Sequence, residues 1–527
     1  MGVGIADTTG PVAEVPLTGW KMGTGLLQRC YARAFVWRDP TTATVVAFVS
    51  IDAGRSSQLI TNMIVEKLEV KFPGVFSIKN VMVSITHSHS AVGGFETGLM
   101  GVPMFGVARS ALGAIVNGTY LAISRAYSNL KLSATNLTKS RLEGASINRS
   151  PSAYMQNPQS ERDEYDSDTD TTFTQLNIVP ESDGEVTAVV NWFAVHPNSV
   201  NITNTLVNGD NKGYASYLLE QHFNGIGKAG KGPFVAAFAS SNLGDLSPQT
   251  EGALCRSGPD KGKQCSKNST CNIGLLNLNF GDPTACWGLG PGKNHYHSNQ
   301  ILGKKQSDKA LELIDATSQI PLTGKIDFRH SYVLFPELEV TVNGSKTKLC
   351  WPAMGMSAPA GTTDVTSLPV FRQGTKTRKF PTSFHEVLRP FVMKAAGTLF
   401  SQPKQKDKDC QDPKPILFQF GTKKTGATKP VQWYPVQLPV QILRVGCLFI
   451  LSAPGEFTTM AGRRVRNEVK QVLVDNLPKG ECAEVHVIIS GLANSYAGYV
   501  TTREEYSVQR FVRGARVGDV YVAGTLE

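Results

Sequence analysis

No stretch of the 527-residue sequence is apolar for long enough to cross a bilayer, because glycine, proline or charge breaks every candidate and a spanning helix needs about 20 consecutive apolar residues. The opening residues, Met1 to Pro11, lack a basic segment followed by an apolar one, so no secretory signal is visible in this chain. Internal repeats of fixed period are missing too, which excludes solenoids and propellers. Charged residues make up only 18% of the chain. Although the formal net charge is +10, Lys and Arg are spread out, and no tract is dense enough to mark a nucleic-acid-binding face. The clearest cluster, Lys404 to Lys408, is interrupted by Gln405 and Asp407 and reads as a solvated loop. These absences leave a protein that works in water or at a membrane surface.

What is present suits a large folded core, with 41% hydrophobic residues. Apolar, β-branched runs at Thr44–Ile51, Val81–Thr86, Val186–Val195, Phe234–Ala239, Val440–Leu451 and Val485–Ile489 read as buried strands. Helical patterns occupy Ser57–Lys71, Arg109–Leu130, Lys212–Phe223, Asn299–Ala316 and Thr458–Asp475, the last with Thr458 as its cap. The segments Asn157–Thr172, Thr250–Lys293 and Lys404–Lys429 read as loops. The expectation is an α/β fold of layered mixed β-sheets covered by helices, with chemistry at the C-terminal ends of strands.

The chemically capable residues cluster at those ends. His87 and His89 follow one strand, where alternation aims both imidazoles to one side, a pair suited to metal binding and proton handling or equally to structural hydrogen bonds. His196 ends another strand and Glu456 opens a helix. Either alone is ordinary, but two or three histidines with one carboxylate on separate strand ends match a catalytic zinc with an open position. Asp245 and Ser247 lie in Ser-Asn-Leu-Gly-Asp-Leu-Ser-Pro, which is a turn composition as much as a nucleophile setting. Gly209-Asp-Asn-Lys-Gly-Tyr214 reads as a helix start that could also hold a polar head group. Four cysteines, Cys255, Cys265, Cys271 and Cys286, fall in a Gly/Ser/Asn-rich segment without histidines at zinc-finger spacing, so a disulfide-stapled loop is preferred to a metal knuckle. Sequons begin at Asn117, Asn136, Asn148, Asn201, Asn268 and Asn343.

Taken in order, Thr86-His-Ser-His-Ser90, Asn191-Trp-Phe-Ala-Val-His196, Gly209-Asp-Asn-Lys-Gly-Tyr214, Ser241-Asn-Leu-Gly-Asp-Leu-Ser-Pro248, Pro454-Gly-Glu-Phe-Thr-Thr-Met-Ala-Gly-Arg-Arg464 and Thr501-Thr-Arg-Glu-Glu-Tyr506 resemble the neutral, non-lysosomal ceramidases. Ile147-Asn-Arg-Ser-Pro151 and Pro352-Ala-Met-Gly355 extend the likeness over nearly the whole chain. The resemblance implies a zinc-dependent amidohydrolase that cleaves the N-acyl bond of ceramide, at a membrane or micelle surface, to sphingosine and a fatty acid. It implies His87, His196, Glu456 and Tyr499 as ligands of one catalytic Zn2+, His89 as the proton-handling partner, Ser247 as the catalytic serine with Asp245 beside it, and Gly19 and Arg149 near the polar head of the substrate. It also implies a glycosylated protein of the secretory pathway, extracellular or membrane-peripheral, with pairings Cys255–Cys271, Cys265–Cys286 and Cys350–Cys410, leaving Cys30, Cys447 and Cys482 over.

The chain departs from the family beside the ligands, with Ala91-Val-Gly-Gly94 in place of Gly-Pro-Gly-Gly and Pro197-Asn-Ser199 in place of Gly-Thr-Ser. Phe511 stands where the family carries a tyrosine near the reacting oxygen, a loss of one oxyanion donor worth a few kcal/mol at most. The expected organisation is a catalytic domain over residues 1–510 and a divergent tail over 511–527, without the family's C-terminal immunoglobulin-like domain. The competing readings are a catalytically impaired, ceramidase-like lipid-binding protein and an amidase acting on another N-acyl lipid.

Overall fold

Strand runs without polar alternation imply that both faces of a sheet are covered, and the computed structural model shows how. It describes residues 1–18, 21–95, 107–255, 259–265, 286–342, 345–355, 362, 403–419 and 434–508. Three mixed sheets carry the fold. The first runs in the order Gly2–Asp7, Tyr31–Arg38, Val45–Ile51, Val81–Ile85. The second runs Val235–Ser240, Ala188–Phe193, Thr172–Pro180, Ser133–Arg141, Ile320–Pro321. The third runs Ile326–Leu334, Gln437–Val445, Leu448–Ala453, His486–Gly491. Each contains one parallel pair, Val45–Ile51 with Val81–Ile85, Ala188–Phe193 with Val235–Ser240, and Leu448–Ala453 with His486–Gly491, among antiparallel ones.

Residue parity explains the layering. From Val45–Ile51, Val46 and Phe48 enter a central core with Ala188, Val190 and Trp192 of the second sheet and Leu448 and Ile450 of the third. The alternate residues Val45, Ala47, Val49 and Ile51 face an outer core under helices α1 (Gln58–Lys71) and α2 (Arg109–Ser128). In the same way Val189 and Phe193 face α3 (Asp210–Asn224) and α4 (His295–Ile314), while Leu451 and Ala453 face α5 (Thr459–Asn476). The expected α/β fold of layered, helix-covered sheets is therefore observed, and the Thr458 side chain caps α5 by accepting from the Ala461 amide.

Three expectations are corrected. Val440–Leu451 is not one strand but the arms of a hairpin, Val445 pairing with Leu448 around Gly446-Cys447. Gly446 adopts φ +60°, and a Cβ there would meet the Thr323 carbonyl at 2.5 Å, so the turn needs glycine. Lys404 to Lys408 is not all loop, since Gln405–Cys410 forms a short solvated helix. Finally, Cys447 and Cys482 are paired with each other. Cys265–Cys286 and Cys350–Cys410 form as expected, and Cys30 is buried and free. Cys271, the expected partner of Cys255, lies outside the described residues, as do 256–258, 266–285 and 420–429 of the segments read as loops.

Candidate metal centre

The parallel strand pairs leave their C-terminal ends together, and the polar loops begin there. The first sheet's strand stops at Ile85, before the histidines, so strand alternation does not orient them. Instead His87 takes φ +78°, a conformation that costs a non-glycine residue of order 1–3 kcal/mol and persists only where surroundings enforce it. The enforcing contacts are at hand: the amides of His87 and Ser88 both donate to the Ala53 carbonyl at 2.9 Å, and His87 Nδ1 donates to the Gly54 carbonyl. That commitment leaves Nε2 as a lone pair, 3.3 Å from Glu456 Oε1 and 3.3 Å from His89 Nε2.

His196 is held by the same logic. Its Nδ1 lies 2.7 Å from the Leu243 carbonyl and 3.0 Å from that of Leu246, so Nδ1 carries the hydrogen and Nε2 presents a lone pair 3.0 Å from Glu456 Oε2. Arg149 Nη2 donates to that nitrogen at 2.8 Å, to Tyr499 Oη at 2.8 Å and to the Gly244 carbonyl at 3.0 Å. Burial and the neighbouring Arg149 lower His196 to about 4. For His89, burial with His87 and His196 acts in the same direction and holds it well below the usual histidine range.

Glu456 sits in a two-residue strand, Glu456–Phe457, just before the cap of α5, paired in parallel with Tyr499–Val500. The pairing places Tyr499 opposite Glu456, and Arg149 joins both residues to His196. Ser247 is wholly buried in Leu246–Ser247, which pairs with Ile147–Asn148, and its Oγ accepts from the Gln249 amide at 3.2 Å. Asp245 turns away toward the start of α5, accepting from Thr459 N and Oγ1 at 2.8 Å and, on its other oxygen, from Asn148 at 2.9 Å. Burial, with Glu505 nearby, raises it to about 7. Gly19 and Phe511 lie outside the described residues.

Some functional positions escaped sequence reasoning. Tyr496 donates from Oη to Glu456 Oε1 at 2.6 Å, its ring is stacked against His87, and the Arg55 guanidinium lies over that ring, 5.7 Å from the centroid. Its place in Asn494-Ser-Tyr496, between strand end and Tyr499, was the available signal. Within the motif Gly209–Tyr214, Asp210, Asn211 and Lys212 are wholly buried and support the fold. Asn211 Nδ2 donates to the His196 carbonyl at 3.0 Å, and Lys212 Nζ ties the ends of two strands by donating to Phe193 and Ala239 carbonyls at 2.9 and 3.1 Å. Asn148, read as a sequon, is 8% exposed and belongs to the centre's support, whereas Asn117 is exposed.

His87, His89 and His196 offer nitrogens within 4.8 Å of one another, a group that could hold a metal ion, with Glu456 alongside. Fold and site thus define an α/β protein whose strand ends assemble a buried histidine–carboxylate centre competent for metal. The profile described as neutral/alkaline non-lysosomal ceramidase, N-terminal, matches residues 1–517. Neutral ceramidase B of Dictyostelium discoideum is 39% identical over 541 aligned residues, covering 100% of this chain and 70% of that protein. The neutral ceramidase of Drosophila melanogaster is 38% identical, covering 97% and 70%. Among solved structures, a ceramidase complexed with C2 superposes with a TM-score of 0.78 at 31% identity over 99% of this chain and 74% of the other. The neutral ceramidase of Pseudomonas aeruginosa gives 0.75 at 30% identity, over 99% and 73%. This chain belongs to the neutral/alkaline non-lysosomal ceramidase family.

Proposed function

We propose that the protein hydrolyses the N-acyl amide of ceramide, releasing sphingosine and a fatty acid, with zinc at the histidine–carboxylate centre. One observation carries the reading: two buried imidazole lone pairs converge on the buried Glu456, whose Oε2 accepts no hydrogen bond among the described residues. Lone pairs facing a carboxylate repel unless a cation joins them, so the donor set fits a metal ion. His87, His196 and Glu456 would hold it, with Tyr499 as the fourth ligand by family likeness. When bound, zinc supplies Lewis acidity to an amide carbonyl and acidifies water.

The chain's own groups do the rest. His89, half-buried and beside His87, takes a proton from the attacking water and returns it to the leaving amine nitrogen. Arg149, with Gly19, orients the polar end of the substrate, and Ser247 contributes a hydroxyl that fixes it. Asp245 enters as a positioning residue, because both of its oxygens are spent on Thr459 and Asn148. Tyr496 fixes the carboxylate rotamer of Glu456 through its hydrogen bond. Residues 1–510 form the catalytic unit in this reading, with Phe511 assigned to substrate binding by family likeness.

Ceramide is too apolar to arrive freely from water, which supports action at a membrane or micelle surface. No helix among the described residues is long and apolar enough to cross a membrane. Three disulfides support an oxidising, secretory or extracellular setting. The test is metal analysis of the purified protein together with fatty-acid release from a short-chain ceramide. Zinc at one equivalent and release of fatty acid are expected. Full zinc occupancy without release would sink the proposal, and release from other N-acyl lipids but not from ceramide would redirect it.

A further inference from the structure

Apart from the metal centre, a cavity of about 510 Å3 opens over α3, lined also by the first turns of α4 and by segment 26–33. None of His87, His89, His196 or Glu456 lines it. Its size falls in the range of small-molecule sites, about 300–1,000 Å3. Tyrosines dominate the walls. Tyr214 and Tyr217 are stacked, their centroids 5.9 Å apart and their planes within 22°, and Tyr31 and Tyr296 add two more rings.

The charges in the cavity are already compensated. Arg33 is paired with Glu220 at 2.6 Å and with Asp52 at 2.8 Å, and Arg29 with Asp7 at 2.8 Å. A phosphate or carboxylate would find no spare cation, and a quaternary ammonium would meet two arginines in the wall. What remains unsatisfied is neutral and polar: Asn299 lines the cavity at 4% exposure, and its Oδ1 finds no hydrogen-bond partner among the described residues. A buried amide without a partner costs stability, of order 1–3 kcal/mol, which a hydroxyl-bearing ligand would recover.

We infer that this cavity binds a neutral, hydroxyl-bearing saturated ring, a pyranose sugar either free or as the headgroup of a glycolipid. The negative face of a tyrosine ring in the wall, with Tyr217 stacked on Tyr214, attracts the polarised C–H face of such a ring. Its hydroxyl edge meets the Asn299 amide and the neighbouring Gln300.

The experiment is saturation-transfer NMR on the full chain with methyl β-glucoside and methyl β-galactoside, alongside flotation with phosphatidylcholine vesicles with and without a monoglucosyl lipid. Saturable transfer to a glycoside with a millimolar Kd is expected, reduced at least about tenfold in Tyr217→Ala and in Asn299→Ala while turnover of a short-chain ceramide stays unchanged. Vesicle capture that depends on the glucosyl lipid would assign the headgroup, and glycoside binding without capture the free sugar. Absence of transfer to the wild-type chain, binding unaffected by either substitution, or preferential binding of phosphocholine would each overturn the inference. Because the wild-type result alone can do so, a variant that fails to fold leaves the test intact.

Discussion

Two buried ionic clusters lie at the strand ends, and they differ in balance. Around Arg33, one guanidinium meets Asp52 and Glu220, and the remaining carboxylate lone pairs accept backbone amides of Tyr31, Gly230 and Ala236. Around Glu456, the neighbours are imidazole nitrogens turned acceptor-side inward, and its cation among the described residues, Arg149, stands 3.8 Å from Oε2. The first cluster is closed and structural. The second is preorganised by carbonyls of Gly54, Leu243 and Leu246 for a cation from outside. Burial alone therefore does not mark a functional centre; the sign and direction of the lone pairs do.

Substituting the open cluster should give the largest effect. Glu456→Gln keeps the shape but removes a charge and a ligand, so metal content measured on the purified protein should fall, and kcat/KM for ceramide with it, by about a thousandfold, roughly 4 kcal/mol. Metal retained at full occupancy would break the contrast. Arg33→Met addresses the closed cluster. Leaving two buried carboxylates without their cation should cost about 3–5 kcal/mol in urea unfolding while metal binding persists.

Tyr496→Phe sharpens the comparison within the open cluster, because it removes one hydroxyl and keeps the ring against His87. Metal affinity, read by chelator competition, should weaken about 10–100-fold with little change in unfolding. A pH-dependent effect is expected at Lys212, among the struts under the strand ends, which burial lowers to about 7. An unfolded lysine titrates near about 10.4. The folded state therefore prefers the neutral amine, and its contribution is present above the unfolded value and lost as pH falls toward 7. Urea midpoints measured from pH 10 to 7 should show this decline in the wild type and a flatter profile in Lys212→Met.

Much of this molecule was legible along the chain. Five helices and the strand runs follow from apolar periodicity and caps, since both are local: Thr458 needs only the amide of Ala461, three residues on. The Val440–Leu451 run misled because a hairpin of two buried strands is as continuously apolar as one long strand, with a single glycine to mark the fold-back. The ordered motifs likewise identify the family and its candidate ligands His87, His196 and Glu456.

Tertiary structure alone decided the roles. Asp245 looks like a partner of Ser247 in sequence, yet it faces Thr459, 214 residues away. Asp210, Asn211 and Lys212 read in sequence as a helix start that could hold a polar head group, and the fold makes them buried struts under His196 and two strand ends. Tyr496 acquires its partner Glu456 only because two parallel strand segments bring residues 456 and 499 side by side. Residue types and local periodicity set which chemistry is available. Which way a lone pair points depends on carbonyls contributed from distant strands, and the sequence order of those strands does not reveal that placement.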